Sequence, residues 1–335
     1  MPETNHRLVL ASRPTGLVDE STLRLESAPA PEPGEGQALV AVRYLSIDPT
    51  IRTWMNDAPG YLPPIGIGEV VRSGGIGEVV ASRSDRYREG DLVFGMVGWQ
   101  EYALAGEGAA GMQTLPSGLD PLAAINVLGV TGMTAYFGLT EVGRLAAGDV
   151  VVVSAAAGAT GSTVGQLAKA LGASKVVGIA GGPDKCAYLL DELGYDAAVD
   201  YRKGGIARRL REEAPGGIDL YFDNVGGEIL NAALANLAMH GRVVLCGAIS
   251  SYNEPTPPPG PSNYVNLIVK RGRMEGFIIL DFADRYPEAQ TAIVSLLAEG
   301  RLKHTEHVVE GLAAAGTALN LLFSGGNVGK VVVAL

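Results

Sequence analysis

The sequence predicts an α/β fold in two domains, a β-rich domain and a doubly wound parallel-sheet domain. Three observations predict it. Residues 1 to about 125 break into short strand-like runs cut by Gly and Pro, the texture of a compact β domain. From Asp149 to about Ile279, apolar runs of strand length alternate with stretches of helical spacing, which implies a doubly wound sheet. A chain of 335 residues also suits two cores better than one.

Taken in order, the first domain offers strands at Gln37–Leu45, Glu69–Ser73, Gly77–Ala81, Asp91–Phe94 and Glu101–Leu104. LGVTGMTAYFGLTEVG (Leu128–Gly143) reads as helical and leads into the second domain. The four β-branched residues Val150–Val153 suit a strand buried on both faces. From Ser162 the spacing turns helical, with Val164, Leu167, Ala168 and Leu171 on one face. Strands are then expected at Lys175–Ala180, Ala197–Asp200, Ile218–Asn224 and Arg242–Gly247. Helices are expected at Pro183–Leu193, Ile206–Glu213 and Glu228–Met239. Pro255–Pro261 is a stiff loop placed after a strand, either a lid or a rigid connector. Glu275–Ile279 reads as the last strand of this sheet, and Val331–Val333 as a strand in the tail.

Composition narrows the functions. With 47% hydrophobic and 19% charged residues the chain can bury large cores. A net charge of −10 argues against nucleic acid as a partner. Neither a leader pattern nor an 18-residue apolar run is evident, so a cytoplasmic protein without membrane insertion is expected. Cys186 and Cys246 are the only cysteines, which suits a reducing compartment.

Between the first buried strand and its helix lies SAAAGATG, with Ala156, Gly158 and Gly161 in an A-x-G-x-x-G arrangement. A strand, a turn of small residues and a helix make the first half of a dinucleotide-binding unit. Small residues are needed there because a pyrophosphate must reach the turn's N–H groups and the helix N-terminus. The second strand ends Ala180-Gly181-Gly182 and lacks the acid that would take the ribose hydroxyls of NAD. Asp184 follows with Lys185 beside it. With no acid at the strand end to repel a 2′-phosphate and a lysine to attract it, NADPH is the expected cofactor. The alternative for Lys185 is a solvated place in the next helix. Gly329-Lys330 has neither the upstream Gly nor the following Ser or Thr of a phosphate-binding P-loop.

These residues belong to a longer set of motifs: LSIDPTIR (Leu45–Arg52), GWQEYA (Gly98–Ala103), GMTAYFGL (Gly132–Leu139), AAAGATGSTVGQLAK, YFDNVGGE (Tyr221–Glu228), CGAISSYN (Cys246–Asn253), RMEGF (Arg273–Phe277) and GNVGK (Gly326–Lys330). The chain thereby resembles the zinc-independent medium-chain dehydrogenase/reductases, and among them the leukotriene/prostaglandin reductase and 2-alkenal reductase group. The resemblance implies a GroES-like β domain over residues 1–127, completed by 305–335, and an NADP-binding Rossmann domain over 128–304. It implies that Gly158, Ala159, Thr160 and Gly161 form the pyrophosphate turn and that Lys185 and Tyr201 meet the 2′-phosphate. Asn224 would end a strand at the cofactor crevice. Cys246, Gly247, Ala248, Ile249, Ser250, Ser251 and Tyr252, with Phe277, Ile278 and Ile279, would line the nicotinamide and its ribose. Asn327 resembles the residue that closes over the cofactor from the β domain. Three positions depart from the pattern. Val269 stands where mammalian members have Tyr, Thr50 where many relatives have Tyr, and Thr131 where many have Pro. The last two fall on the expected substrate side.

The chemistry follows partly by elimination among residue types. His6, His240, His304 and His307 are the only histidines, and no cysteine lies between Arg83 and Gln113, where a structural zinc lobe is expected. No metal is therefore expected. None of the twelve tyrosines has a lysine four residues later, so the Tyr-x-x-x-Lys base of short-chain dehydrogenases is missing. Hydride delivery to the β-carbon of an α,β-unsaturated aldehyde or ketone remains, with hydrogen bonds polarising the carbonyl. Tyr252 is the candidate for that hydrogen bond or for holding the ribose; a structural role is the alternative. Arg52 would meet a substrate carboxylate or phosphate, or else pair within the β domain. A quinone reductase and a non-catalytic NADPH-binding protein are the competing functions. An apolar last strand at a sheet edge, together with the resemblance, implies a homodimer.

Overall fold

The eleven residues Gln37–Ile47 bury Ala38, Leu39, Val40, Val42, Leu45 and Ile47, and this long strand anchors the first of two units in the computed structural model. The structure describes residues 2–109, 111–256 and 258–335. Unit one comprises Met1–Ile125, Glu306–Asn327 and Val331–Leu335; unit two comprises Asn126–Thr305 and Val328–Lys330. Residues 328–330 thus group with the second unit although the tail around them groups with the first.

In chain order, the first unit opens with β1 (Thr4–Leu10), β2 (Leu23–Pro29), β3 (Gln37–Ile47), α1 (Thr50–Trp54), β4 (Gly74–Ser82), β5 (Leu92–Met96), β6 (Tyr102–Gly106), β7 (Met112–Thr114) and α2 (Pro121–Ile125). The second unit follows with α3 (Val130–Phe137), which runs on into a π-helical turn at Gly138–Val142. Then come β8 (Val150–Val153), α4 (Ala159–Ala170), β9 (Lys175–Ala180), α5 (Pro183–Asp191), β10 (Ala197–Asp200), α6 (Ile206–Glu213), β11 (Ile218–Asp223), α7 (Gly227–Leu234), β12 (Leu237–Leu245), α8 (Asn266–Lys270), β13 (Arg273–Gly276) and α9 (Tyr286–Ala298). The chain returns to the first unit through β14 (Glu306–Glu310), α10 (Ala315–Ser324) and β15 (Lys330–Ala334).

In the first unit β1 and β2 pair antiparallel, and a seven-stranded sheet runs β14-β15-β3-β4-β5-β7 with β6 also on β3. Its core gathers Val40, Leu45, Val93, Trp99, Leu319 and Val333. The tail therefore completes this sheet, with Val331 opposite Ile47.

In the second unit six parallel strands lie in the order β10-β9-β8-β11-β12-β13. The chain steps outward from β8 to β9 and β10, then starts again on the other side with β11. The order reverses between β8 and β11, and ligands of open α/β sheets bind outside the strand ends at such a point. Val151, Val152, Val153, Ile218, Leu220, Tyr221 and Phe222 are all buried, as helices on both faces of a parallel sheet require.

Several elements differ from expectation. Glu69–Ser73 is not a strand; only Val70 makes a bridge, to Val9, and the strand begins at Gly74. The helix expected to reach Met239 ends at Leu234. There Asn236 donates Nδ2 to the Ala232 and Ala207 carbonyls and accepts the Ile218 N–H, so Leu237 starts β12 instead. The expected last strand starts two residues early and ends at Gly276; Phe277 and Ile278 lie beyond it and Ile279 opens a 3-10 segment. Helix α4 begins three residues before Ser162. Pro255–Pro261 includes Pro257, which lies outside the described residues.

Candidate functional site

The switch point is built from the ends of β8 and β11. Ser154 follows β8 and is fully buried. Its Oγ accepts the Asn224 N–H at 2.8 Å and donates to Asp223 Oδ1 at 3.1 Å, while Asn224 Nδ2 donates to the Ser154 carbonyl at 2.8 Å. Asn224 is thereby locked across the two strand ends, at the position the motifs assigned to the cofactor crevice.

The turn after Ser154 is tight. Ala155 is held at φ +47, a left-handed conformation unusual for a residue with a Cβ. The Ala156 N–H donates to the Ile179 carbonyl at 3.0 Å, tying the turn to β9. Gly158 caps α4, so Ala159, Thr160 and Gly161 form its first turn, where backbone N–H groups have no helical acceptor. A Cβ on Gly161 would strike the Ala155 carbonyl and lie 2.7 Å from the Ala156 Cα. Only glycine lets the helix start this close to the strand, and the resulting concavity of N–H groups suits a phosphate. One further support was not legible in the turn itself. Gly329 donates its N–H to the Ala157 carbonyl at 2.8 Å and bridges to Gly158, so residues 328–330 brace the turn.

At the end of β9 the structure brings together Gly181, Gly182, Lys185, Tyr201 and Arg202. A Cβ on Gly181 would lie 2.8 Å from the Tyr201 ring. Asp200 Oδ1 accepts the N–H groups of Gly182 at 2.9 Å and Arg202 at 3.0 Å. The Gly182 bond above all, and then the Arg202 bond and the charges of Lys203 and Arg202, hold the Asp200 carboxyl below its usual range. The acid at this strand end thus organises the loop. Lys185 is half-buried, and burial, then the charge of Arg202, pushes its ammonium below the usual lysine range. Neither cation joins an ion pair among the described residues. Asp200 offsets part of the Arg202 charge, and the two neighbouring cations still suit a dianionic group. Arg202 was missed in the sequence because it follows a tyrosine in a short turn, and only the fold sets it beside Lys185.

The 246–252 loop hangs from β11. Cys246 and Gly247 donate their N–H groups to the Asp223 carbonyl at 2.9 and 3.1 Å. Ile249 donates to the Asn224 carbonyl at 3.2 Å; Ser250 donates both N–H and Oγ to the Val225 carbonyl. The Tyr252 hydroxyl accepts the Ala248 N–H at 3.1 Å, so it pins its own loop. Ser251 donates Oγ to the Ala248 carbonyl. Burial, then Asp223, pushes the Cys246 thiol up to about 12, which makes it unreactive.

Phe277, Ile278 and Ile279 are half-buried and open the segment leading to Arg285. The Phe282 ring stacks on Phe137 at 5.0 Å and meets Phe277 edge-on at 6.4 Å. Arg285 donates to Glu141 at 2.8 Å and to Glu288, with its guanidinium 5.2 Å above Phe137. Gly138 makes room for both Phe222 and Phe277, whose rings a Cβ there would meet at 2.6 and 3.0 Å.

Arg52 takes the second of the two roles open to it, pairing within the β domain. It is 2% exposed and donates to the Gly16 carbonyl at 2.7 Å, to the Pro14 carbonyl at 2.9 Å and to Asn56 Oδ1 at 2.6 Å. The guanidinium ties the 14–16 turn to α1 and leaves no face for a substrate anion. Asn327 is buried, in the segment between α10 and β15 of the first unit. Among the described residues no group of three or more His, Cys, Asp or Glu could hold a metal ion. No described helix is long and apolar enough to cross a membrane.

Comparison with known proteins adds the following. Residues 6–113 match a model described as the N-terminal domain of oxidoreductase, and residues 159–295 one described as zinc-binding dehydrogenase. The chain is 39% identical over 337 residues to the NADPH-dependent curcumin reductase of Escherichia coli, covering 99% of this chain and 97% of that protein. It is 39% identical over 341 residues to a 2-alkenal reductase (NADP+-dependent) of Nicotiana tabacum, covering 98% and 97%. The crystal structure of CurA from Vibrio vulnificus in complex with NADPH superposes with a TM-score of 0.93 at 39% identity, covering 98% of each chain.

Proposed function

This chain belongs to the zinc-independent medium-chain dehydrogenase/reductases, and from that premise we propose that it reduces the C=C bond of α,β-unsaturated aldehydes and ketones with NADPH. It is an NADPH-dependent oxidoreductase. The observation that carries the cofactor assignment is the neighbouring pair of cations Lys185 and Arg202 at the end of β9, neither closed in an ion pair among the described residues, with Tyr201 alongside. The glycine cradle at Gly158–Gly161 fits the pyrophosphate, since a Cβ on Gly161 has no room. Bound NADPH supplies a hydride. The chain's own residues hold and orient it: N–H groups of the α4 first turn on the pyrophosphate, Lys185 and Arg202 on the 2′-phosphate, Asn224 and the 246–252 loop at the nicotinamide end. Tyr252, its oxygen fixed by Ala248, donates its O–H to the ribose or to the developing enolate.

The enone reading is supported by the two reductases to which the chain is similar, both about two-fifths identical over nearly its full length. The residue types agree, since no Tyr-x-x-x-Lys base is present to oxidise an alcohol. Hydride goes to the β-carbon and a proton from water to the α-carbon, giving the saturated carbonyl. Deuterated NADPH tests this: deuterium on the β-carbon supports the proposal, deuterium on the carbinol carbon overturns it, and turnover of quinones but not enones replaces it with a quinone reductase.

The working form is a homodimer in a reducing cytoplasm. Among the described residues β13 ends the six-stranded sheet with one side unpaired. Ile268 and Val269 on neighbouring α8 are 74% and 64% exposed, an apolar surface that a second copy would cover. A monomer in sedimentation at micromolar concentration would refute this.

A further inference from the structure

A carboxyl group lies buried at the switch point with no cation to neutralise it. Asp223 closes β11 and is fully buried. Four donors converge on its Oδ1: the Ser154 hydroxyl at 3.1 Å, the Tyr221 hydroxyl at 2.8 Å, and the N–H groups of Val225 and Gly226, each at 3.0 Å. Its Oδ2 is buried without a hydrogen-bond partner among the described residues. No lysine, arginine or histidine is among the groups acting on it. Burial pushes this carboxyl upward and the four donors on one oxygen pull it back down; with no acceptor for a proton on Oδ2 among the described residues, the hydrogen-bond geometry is that of an anion. A buried charge of this kind costs stability, and the interior could have been filled with an apolar side chain instead. The Asp223 main chain also carries the 246–252 loop, through Cys246 and Gly247.

We infer that Asp223 is a fixed negative charge beneath the nicotinamide end of the crevice, favouring the oxidised, cationic ring over the reduced, neutral one. The inference rests on the NADPH reading above. Reduction of an enone moves a hydride, with its two electrons, from the reduced ring to the β-carbon, while water protonates the α-carbon. The ring is left with a positive charge that it did not carry before. A carboxylate in a poorly screened interior attracts that charge and has no comparable hold on the neutral ring. Bound NADPH is thereby a stronger hydride donor than free NADPH. Asp223 does this without touching the ring, by charge alone, and Asn224 provides the contact surface above it. At ~10 Å with an effective dielectric constant of ~20, such a charge changes the ratio of the two affinities by about ten-fold.

The test compares dissociation constants for NADP+ and NADPH by calorimetry in the full chain. The isosteric Asp223→Asn change removes the charge, and the ratio Kd(NADP+)/Kd(NADPH) is expected to rise about ten-fold. The fragment 2′,5′-ADP, which lacks nicotinamide, is expected to bind unchanged. Tyr221→Phe, which keeps the carboxylate, is expected to leave the ratio where it is. An unchanged ratio in Asp223→Asn overturns the inference, and so does an equal loss of 2′,5′-ADP, which would mark a structural effect. Wild-type protein gives a second, independent measurement. At neutral pH its infrared spectrum is expected to lack the carbonyl band of a protonated carboxylic acid. Asp223 is the described carboxyl that burial pushes upward, so such a band would overturn the inference even if the variant does not fold. Failure of wild type to bind NADPH at all would instead overturn the cofactor assignment.

Discussion

Removing Lys185 tests the cofactor site most directly. Lys185 is half-buried, so its hydrogen bond to a phosphate is poorly screened. A charge-assisted bond in that setting contributes about 1.5–3 kcal/mol, and Lys185→Ala should weaken NADPH by about ten- to a hundred-fold. Arg202 is exposed, and an exposed cation contributes about 0.5–1 kcal/mol that salt screens away. Arg202→Ala should therefore cost only a few-fold, and that loss should shrink in high salt. The two cations also repel each other in the free protein, since Arg202 lowers the Lys185 pKa. Lys185→Ala relieves that repulsion and should not melt below wild type without ligand, whereas Arg202→Ala also loses its attraction to Asp200. NADH lacks the 2′-phosphate and should bind all variants alike. The assay is equilibrium titration of NADPH and NADH at two ionic strengths. An equal loss for both cofactors, or a larger and salt-insensitive loss at Arg202 than at Lys185, would refute the reasoning.

Three further outcomes follow from the packing. Arg52→Ala strands the Pro14 and Gly16 carbonyls and should lower unfolding free energy by roughly 2–4 kcal/mol in denaturant titration, while KM for an enone stays put; a raised KM with unchanged stability would return Arg52 to the substrate site. Gly161→Ala forces α4 away from the Ala155 carbonyl and should cost about 1–3 kcal/mol, with loss of NADPH binding in the same titration; unimpaired binding would show that the cradle is not the pyrophosphate site. The lowered pKa of Asp200 means that its contribution to stability is present above the unfolded value near ~3.9 and is lost as pH falls through the folded value. Melting curves of wild type and Asp200→Asn should therefore converge below about pH 4, and a gap that persists there would exclude Asp200 as the cause.

Much of the Rossmann unit was legible because its strands are buried on both faces. The runs at Val150–Val153, Lys175–Ala180 and Ala197–Asp200 leave no polar register to confuse, and all three are strands with those bounds. Helix α6 likewise occupies Ile206–Glu213 as its spacing indicates. Residues 237–239 misled because LANLAM continues a helical pattern. The hydrogen bond from Ile218 to the Asn236 carbonyl comes from a strand eighteen residues earlier, and no local pattern announces it. Glu69–Ser73 failed for the opposite reason. Its alternation is strand-like, but its pairing with β1 is a single bridge, Val9 to Val70, and Val71 and Ser73 accept instead from Val97, Gly98 and Trp99.

At the candidate site, the sequence by itself determined what short range controls: a turn of small residues between a buried strand and a helix, a second strand ending without an acid for the ribose, and a cationic Lys185 just beyond. Tertiary structure decided every pairing across distance. It set Arg202 beside Lys185, braced the phosphate turn with Gly329, and spent the Arg52 guanidinium on the 14–16 turn and Asn56. It also left Asp223 buried under four donors without a cation. Backbone propensity and steric room act over a few residues and are written in the local sequence, whereas the electrostatic environment of a side chain is the sum of groups that only the fold brings within a few ångströms.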